Sequence, residues 1–262
     1  MSLQVRHVGK SFVHKGHQQQ VLRNVSLNVE PGEFVSLIGH SGCGKSTLLG
    51  AMAGLVRPDH GTITLDGSSI TGPGPDRAVV FQHYSLLPRL SLFDNVRVAV
   101  RSARPGRSKE RVDTTVERYL TAVGLWDQRG KRPGQVSGGM QQRCAVARAF
   151  AVEPRALLLD EPFGALDALT RARLQGQLID LWGSESDTEI VVMVTHGIDE
   201  AILLSDRIVV MQNPPGPSIA EVIDVPIDRP RDRVTVGDHP AHRQVQEQLL
   251  ALLQREDSER AA

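Results

Sequence analysis

One glycine-rich run constrains the fold of this 262-residue chain more than any other feature of its sequence. The run, Gly39–Ser46, reads GHSGCGKS and follows the mostly apolar stretch Phe34–Ile38. It fits the pattern GxxxxGK[ST], in which glycines let backbone N–H groups converge on phosphate oxygens and the following helix adds its positive N-terminus. In this pattern Lys45 places its charge on the β and γ phosphates of a nucleotide, and the Ser46 hydroxyl coordinates Mg²⁺. The run therefore predicts a phosphate-binding loop; the alternative is a glycine-rich turn that binds nothing.

Composition excludes several classes of protein. Lys and Arg together number 30, as do Asp and Glu, so a net charge of zero argues against bulk attraction to nucleic acid or anionic lipid. Cys43 and Cys144 lie far apart with no Cys/His cluster, so neither a disulfide framework nor a zinc site is predicted. The N-terminal residues lack the apolar core of a secretory signal, and no segment reaches about 18 uninterrupted apolar residues. We therefore expect any membrane role to come through a partner.

Strand-like and helix-like segments alternate along the chain, which predicts a parallel α/β sheet. The first two strands are expected at Leu3–Val8 and Val25–Val29, where apolar and polar residues alternate. Further strands are expected at Phe34–Ile38, Gly61–Gly67, Ala78–Gln82, Ala156–Asp160, Ile190–Val194 and Arg207–Met211. Helices are expected at Ser46–Met52, Leu174–Trp182 and Ile198–Ser205.

Two parts of the chain depart from this alternation. Between residues 86 and 150, one helical pattern begins at Ser108 and closes at Gly124, and another starts near Ser137, which predicts a helical insertion. From Asn213 onward the chain is rich in proline and charge, and we expect only Val245–Leu253 to be helical there.

An apolar run that ends in two acids is the second chemical signal. Ala156–Leu159 is followed by Asp160 and Glu161. A carboxylate at the end of a buried strand can hold Mg²⁺ beside a phosphate loop, and the adjacent Glu161 is then placed to act as general base toward water. Alone, the pattern is as consistent with a solvated Asp-Glu pair at a strand end. The phosphate loop earlier in the chain favours the functional interpretation.

A third signal is the sequence VSGGMQQR, in which Ser137, Gly138 and Gly139 open a helix. Unpaired N–H groups at such a helix start can bind an anion. An isolated Ser-Gly-Gly is more often a helix cap followed by a flexible turn. Its position between the phosphate loop and Asp160, with Gln-Gln-Arg after it, favours anion binding here. We also expect Cys43, which lies among the N–H groups of the phosphate loop, to be a reactive thiol.

Taken together, GHSGCGKST, VSGGMQQR, LLLDEPFGALD and VTHG, with Gln82 between the first two, resemble the ATP-binding cassette (ABC) ATPases of import systems. The resemblance covers residues 1 to about 233. It implies an α/β P-loop NTPase of the ABC ATPase fold, with a RecA-like core, an antiparallel β subdomain and an inserted helical subdomain at about 86–150. The implied domain spans residues 1–235 and leaves a helical tail at 236–262. Val136 replaces the usual Leu and Gly197 replaces a common acid or Asn, and neither change removes a ligand.

The resemblance implies roles for individual residues. Phe12 would stack on adenine, although it could equally belong to the core; Gln82 would contact Mg²⁺ and the attacking water and face the permease. Asp167 would cross to the opposite subunit, and His196 would contact the γ-phosphate. The implied nucleotide-binding residues are Phe12, Gly39, His40, Ser41, Gly42, Cys43, Gly44, Lys45, Ser46, Thr47, Ser137, Gly138, Gly139 and Asp167. The implied catalytic residues are Glu161, His196 and Gln82, and the implied metal ligands are Ser46, Gln82 and Asp160.

The resemblance also implies cofactors, partners and a location. They are ATP and Mg²⁺, a second ATPase subunit (a copy or a sister chain), a membrane permease, and a periplasmic or extracellular substrate-binding protein. The chain would lie at the cytoplasmic face of the cell membrane. Its motifs are most similar to those of nitrate, sulfonate and taurine importers, and His40 and Pro230–Arg233 favour the nitrate/nitrite branch. Sulfonate or taurine uptake and cyanate or bicarbonate uptake are the alternatives.

Two other classes of protein fit less well. ABC-type ATPases that act on nucleic acid carry coiled-coil insertions or two cassettes, whereas this sequence has one cassette, no heptad run and no basic stripe, so no nucleic-acid partner is expected. An unrelated P-loop enzyme, such as a small-molecule kinase, is disfavoured by the Ser-Gly-Gly signature and by the LDEP sequence.

Overall fold

The computed structural model describes residues 2–14, 17–183, 187–213 and 216–261, and the side chains of residues 14 and 256–261 are not described. The chain forms two compact units. The first joins Met1–Gly74 to Ile190–Ala262, and the second is Pro75–Glu189.

Both units contain strands and helices. In chain order the strands are β1 (Leu3–His14), β2 (His17–Val29), β3 (Phe34–Gly39), β4 (His60–Leu65), β5 (Ser68–Ser69), β6 (Arg77–Val80), β7 (Ala156–Asp160), β8 (Ile190–Val194), β9 (Arg207–Met211) and β10 (Ile219–Asp224). The helices are α1 (Lys45–Met52), α2 (Leu92–Ala103), α3 (Lys109–Ala122), α4 (Gly138–Ala151), α5 (Ala168–Gly183), α6 (Ile198–Leu204) and α7 (Pro240–Ala261). None of the helices in the described residues is long and apolar enough to cross a membrane.

An antiparallel sheet forms one layer of the first unit, with strand order β2-β1-β4-β5. Val5 pairs with Leu27 on one side and with Ile63 on the other, and all three side chains are buried. The first two strands are longer than their alternating sequence predicted, because they continue as a hairpin whose outer part is largely exposed. This sheet agrees with the antiparallel β subdomain that the resemblance implied.

A second sheet in the same unit contains β3 between two parallel neighbours, β8 and β9. Every residue of β3 is buried, as a strand covered on both faces requires. The antiparallel strand β10 extends this sheet beyond β9. Sequence patterning did not predict β10, which lies in the tail after Asn213.

The C-terminal helix α7 packs on this second sheet. Val245 and Leu249 of α7 are buried in one apolar cluster with Ile38 of β3 and Val210 of β9. The helix is also longer than the predicted segment Val245–Leu253, since it begins at Pro240.

The second unit combines the parallel pair β6 and β7 with helices α2 to α4, which pack on one another. Ser108 caps α3 as predicted, and α4 begins after Ser137, where a helix start was predicted; each serine accepts a backbone N–H bond. Helix α2 was not predicted; Ser91 caps it by accepting the Asp94 N–H bond. Its Leu92, Val96 and Val100 are fully buried.

Candidate nucleotide site

The phosphate loop connects β3 to α1 in the first unit, as the sequence predicted. Two of its glycines occupy positions that a side chain would not fit. Gly39 has φ 152°, and a β-carbon there would lie 2.2 Å from the Met211 carbonyl oxygen. Gly44, the N-cap of α1, has φ 98°, and its β-carbon would lie 2.9 Å from the Val21 carbonyl oxygen. The loop is therefore held tightly against neighbouring backbone at two positions where only glycine fits.

Lys45 lies inside the loop, with only 6% of its surface exposed. Its Nζ donates hydrogen bonds to the carbonyl oxygens of Gly39 at 2.7 Å and His40 at 2.9 Å. Two defined acceptors thus fix the ammonium group at the centre of the loop. This is the position from which a point charge can act on a phosphate bound by the loop.

The same loop contains Cys43 and His40, whose side chains have different surroundings. Cys43 is fully buried, so a reagent cannot reach its Sγ and the prediction of a reactive thiol is wrong for this arrangement, although Lys45 Nζ lies 3.7 Å from that sulfur. His40 is half-buried, and its Nε2 donates to the Leu253 carbonyl oxygen of α7 at 3.0 Å. A carbonyl can only accept, which fixes the proton on Nε2. The His40 side chain therefore contacts the C-terminal helix, which no sequence motif indicated.

His196 follows β8 and is exposed. Because Leu37 of β3 pairs in parallel with Val194 of β8, the loop after β3 and the turn containing His196 leave the same edge of one sheet. This edge, at the carboxyl ends of parallel strands, is where ligands bind in open α/β sheets. The first unit thus brings the phosphate loop and His196 to one edge.

A buried threonine shapes the turn around His196. Thr195 Oγ1 donates to Glu200 Oε2 at 2.7 Å and accepts the Gly197 N–H bond at 3.0 Å. The sequence did not predict the pairing of Thr195 with Glu200, although a threonine immediately precedes His196.

Phe12 lies in the outer part of the β1–β2 hairpin, opposite Gln19. Phe12 is 43% exposed, and Lys10 Nζ lies 5.3 Å from the ring centroid. The ring is therefore not part of the core, which removes the structural alternative considered for this residue. An exposed aromatic face is available for stacking on a planar ligand.

In the second unit, the predicted catalytic carboxylate has a defined partner. Glu161 follows Asp160, the last residue of β7, and Gln82 Nε2 donates to Glu161 Oε2 at 2.9 Å. Glu161 has φ 47°, a left-handed backbone conformation that is uncommon outside glycine. Such backbone strain concentrates at functional positions.

The Ser-Gly-Gly segment is crowded by its own unit. Ser137 Oγ accepts the Met140 N–H bond at 3.3 Å. A β-carbon on Gly138 would lie 2.9 Å from the Tyr84 hydroxyl oxygen, and one on Gly139 would lie 2.6 Å from Thr170 Cγ2. Ser137 is exposed, so the start of α4 is open on the side that these neighbours do not cover. Sequence reasoning did not assign a role to Tyr84.

Asp167 immediately precedes α5 and caps it. Its Oδ1 accepts from the backbone N–H groups of Leu169 at 3.1 Å and Thr170 at 3.0 Å. Hydrogen bonds from the Thr170 side chain and from these N–H groups lower the pKa of the Asp167 carboxyl. Asp167 is therefore an exposed anion that also stabilises its own helix.

The predicted metal ligands fit Mg²⁺ by their chemistry. Ser46, Gln82 and Asp160 offer a hydroxyl, an amide and a carboxylate oxygen, the donor type that this hard cation prefers. Among the residues that the structure describes, no cluster of three His, Cys, Asp or Glu side chains could hold a metal. Magnesium in nucleotide sites commonly has one or two carboxylates and completes its shell with phosphate and water.

These features define a P-loop nucleotide-binding protein. Comparison with known proteins then identifies the family. Residues 22–164 match the ABC transporter family, and the chain belongs to it. The fold is the ABC ATPase fold, and the protein is an ATP-binding ATPase of the transport-coupled class.

Two relatives and one solved structure illustrate the match. The chain is 48% identical over 248 residues to the nitrate import ATP-binding protein NrtD of Synechococcus elongatus, covering 95% of this chain and 90% of that protein. It is 50% identical over 238 residues to the bicarbonate transport ATP-binding protein CmpC of Synechocystis, covering 91% of this chain but 35% of that longer protein. It also resembles the dimeric, post-hydrolysis ATP-binding cassette MJ0796 bound to ADP and phosphate, with TM-score 0.76, 30% identity, and coverage of 86% of this chain and 100% of that one.

Proposed function

We propose that this chain is the ATP-hydrolysing subunit of an importer for a small inorganic anion, with nitrate or nitrite as the first candidate. The near full-length similarity to a nitrate import ATP-binding protein supports this most directly. Bicarbonate is the second candidate, because a bicarbonate transport protein is at least as similar over the part that aligns. Sulfonate, taurine and cyanate uptake are alternatives of lower rank.

The phosphate loop would hold the nucleotide. Backbone N–H groups of residues 39–47 bind the phosphates, and Lys45 adds a positive charge. The buried, doubly hydrogen-bonded position of Lys45 supports this role, because its ammonium group needs little ordering on binding. Phe12 stacks on the adenine ring, for which its exposed face is suited.

Glu161 is the proposed general base. Its carboxylate accepts the proton of the attacking water, and the hydrogen bond from Gln82 fixes one carboxylate oxygen. Gln82 also contributes to orienting the water and Mg²⁺. His196 contacts the γ-phosphate, supported by its exposure at the edge of the parallel sheet.

Mg²⁺ would be held by Ser46, Asp160 and Gln82 together with phosphate oxygens. When bound, the ion neutralises charge on the phosphates. The oxygen donors of these side chains support this assignment.

A second ATPase subunit would complete each site. Ser137, Gly138 and Gly139 of one subunit present the start of α4 to the nucleotide of the other, and Asp167 crosses the interface. The exposure of Ser137 supports this, as does the dimeric state of the structurally similar cassette. The further partners are a membrane permease and a periplasmic or extracellular substrate-binding protein, with this chain at the cytoplasmic face of the membrane.

Uptake in cells that lack the protein tests the substrate. Labelled nitrate, nitrite, bicarbonate, cyanate and an alkanesulfonate are supplied in parallel to deleted cells and to cells complemented with wild-type protein or Lys45→Ala. We expect loss of nitrate or nitrite uptake that only wild type restores. Selective loss of bicarbonate uptake would transfer the proposal to the second candidate. Unchanged uptake of all five would contradict it.

A further inference from the structure

The C-terminal helix α7 makes a direct contact with the phosphate loop. His40 Nε2 donates to the Leu253 carbonyl oxygen at 3.0 Å. His40 also carries one of the two carbonyl oxygens that accept from Lys45 Nζ. Two consecutive hydrogen bonds therefore connect α7 to the ammonium group of Lys45, one through the His40 side chain and the other through its backbone.

Buried apolar side chains hold helix α7 against the sheet next to the phosphate loop. Its Val245 and Leu249 are buried in the same apolar cluster as Ile38, which immediately precedes the phosphate loop. Leu252 and Leu253 are partly buried against that cluster. A helix held on the strand that leads into the loop can support a loop residue from a fixed position.

The same helix reaches the segment that follows His196. Gln246 Nε2 donates to Asp199 Oδ1 at 3.3 Å, and Asp199 lies in the first turn of α6. His242 Nε2 lies 3.9 Å from the same carboxylate oxygen. Helix α7 therefore contacts two of the segments that follow the carboxyl ends of the parallel strands, namely the phosphate loop after β3 and the first turn of α6 after β8.

We infer that α7 positions the phosphate loop through His40, so that docking of α7 and binding of nucleotide stabilise each other. His40 acts here as a positioning residue: its side chain holds α7, and its backbone carbonyl holds Lys45. The inference rests on the phosphate-binding role proposed for Lys45. It assigns a function to the C-terminal segment, which lies outside the matched family region, residues 22–164.

Thermodynamic linkage makes the inference testable from both ends. If α7 docking favours nucleotide binding, bound nucleotide must favour α7 docking by the same factor. A His40 side chain that contacts nucleotide directly would affect affinity without changing α7. The two explanations therefore differ in what happens at the helix.

The experiment uses the full-length protein and ADP. Calorimetry measures ADP affinity, and hydrogen exchange measures amide protection in residues 249–255 with and without ADP. The variants are His40→Leu, which removes the donor, and His40→Gln, which keeps an N–H donor. Gln248→Ala is the matched control. Gln248 lies in the same helix, but its side chain donates a hydrogen bond to Glu221 of β10.

We expect ADP to slow exchange in this segment of the wild type. In His40→Leu we expect the ADP dissociation constant to rise about fivefold or more and the ADP-dependent protection to disappear. His40→Gln should restore part of both effects, and Gln248→Ala should change neither.

Three results would overturn the inference: no ADP-dependent protection of α7 in the wild type, unchanged ADP affinity in His40→Leu, or weakened affinity with α7 protection intact. The wild-type exchange measurement and His40→Gln still test the inference if His40→Leu does not fold. Lys45→Ala separates this inference from the proposed function. Loss of ADP binding in Lys45→Ala with normal behaviour in His40→Leu would leave the function standing and reject the role of α7.

Discussion

Gln82 and Glu161, 79 residues apart in the chain, are joined by a 2.9 Å hydrogen bond from the glutamine amide to the glutamate carboxylate. The donor is neutral, so it orients the carboxylate without adding a positive charge beside it. Glu161 also has a left-handed backbone, which places its side chain by local strain as well as by the hydrogen bond. A general base must be held in the correct direction, and these two features supply that restraint.

Glu161→Gln should separate nucleotide binding from hydrolysis. The amide keeps the shape of the side chain but cannot accept a proton, so we expect kcat to fall roughly 10²–10⁴-fold. The phosphate loop and Lys45 are unchanged, so ATP should still bind and hold two chains together. Size-exclusion chromatography with light scattering would show an ATP-dependent dimer.

Lys45→Ala is the comparison variant for this prediction. It should lose nucleotide affinity and form no ATP-dependent dimer, because the charge that faces the phosphates is gone. Hydrolysis by Glu161→Gln at nearly the wild-type rate would place the base elsewhere, and His196 would become the leading candidate.

Phe12→Ala should weaken ATP binding with little effect on stability. Phe12 is 43% exposed, so removal of its ring costs little packing, and we expect the melting temperature to stay within about 2 °C. Loss of stacking on a base should raise the ATP dissociation constant about tenfold. Val13, 76% exposed and adjacent in the hairpin, provides the control Val13→Ala. A large fall in melting temperature, or unchanged affinity, would contradict stacking by Phe12.

The sequence predicted those elements whose formation depends on local pattern. The loop between β3 and α1 follows from glycines and a lysine at fixed spacing, and Ser108 and Ser137 cap their helices by bonds three residues away. The sequence of helix α2 also carries a local helical pattern. Leu92, Val96 and Val100 recur every four residues after the cap Ser91.

Other features depend on distant parts of the chain and could not be read locally. Strand β10 lies in a proline-rich tail, and its strand conformation depends on pairing with β9. The bond between Gln82 and Glu161 and the bond between His40 and Leu253 each join residues far apart in sequence. The exposure of Phe12 and the burial of Cys43 are likewise decided by tertiary packing. The sequence did not distinguish a stacking from a core position for Phe12, and it suggested a reactive thiol at Cys43, which is buried.

Both cysteines should resist thiol reagents in the folded protein. Cys43 and Cys144 are fully buried, and burial raises the pKa of Cys144 to about 12, so its thiol stays protonated at pH 8 to 9. We expect a dithionitrobenzoate titration to show almost no fast-reacting thiol in the native protein and two per chain after denaturation. Thr114→Cys, at an exposed position of α3, gives one fast thiol as positive control. Rapid native labelling of Cys43 would mean that the phosphate loop opens readily.

Two inactive variants should restore activity when mixed, if each site takes residues from two subunits. Lys45→Ala removes the phosphate charge of a subunit. Gly139→Asp adds a negative charge and a side chain whose β-carbon would lie 2.6 Å from Thr170 Cγ2. We therefore expect it to disable the helix start that, under the proposal, faces the partner's nucleotide. In a mixed dimer one site contains both defects, whereas the other combines the intact loop of one subunit with the intact Ser-Gly-Gly of its partner. If equal amounts of the two variants pair at random, half of the dimers are mixed and each has one intact site, so we expect recovery of about a quarter of wild-type ATPase activity. Mixing Lys45→Ala with Glu161→Gln is the matched control, because under the proposal each subunit supplies both Lys45 and Glu161 to its own nucleotide, so neither variant subunit retains a complete set. No recovery in the first mixture despite proven subunit exchange would show that each chain hydrolyses ATP with its own residues alone. Recovery in the control would show instead that Lys45 and Glu161 of one site come from different subunits.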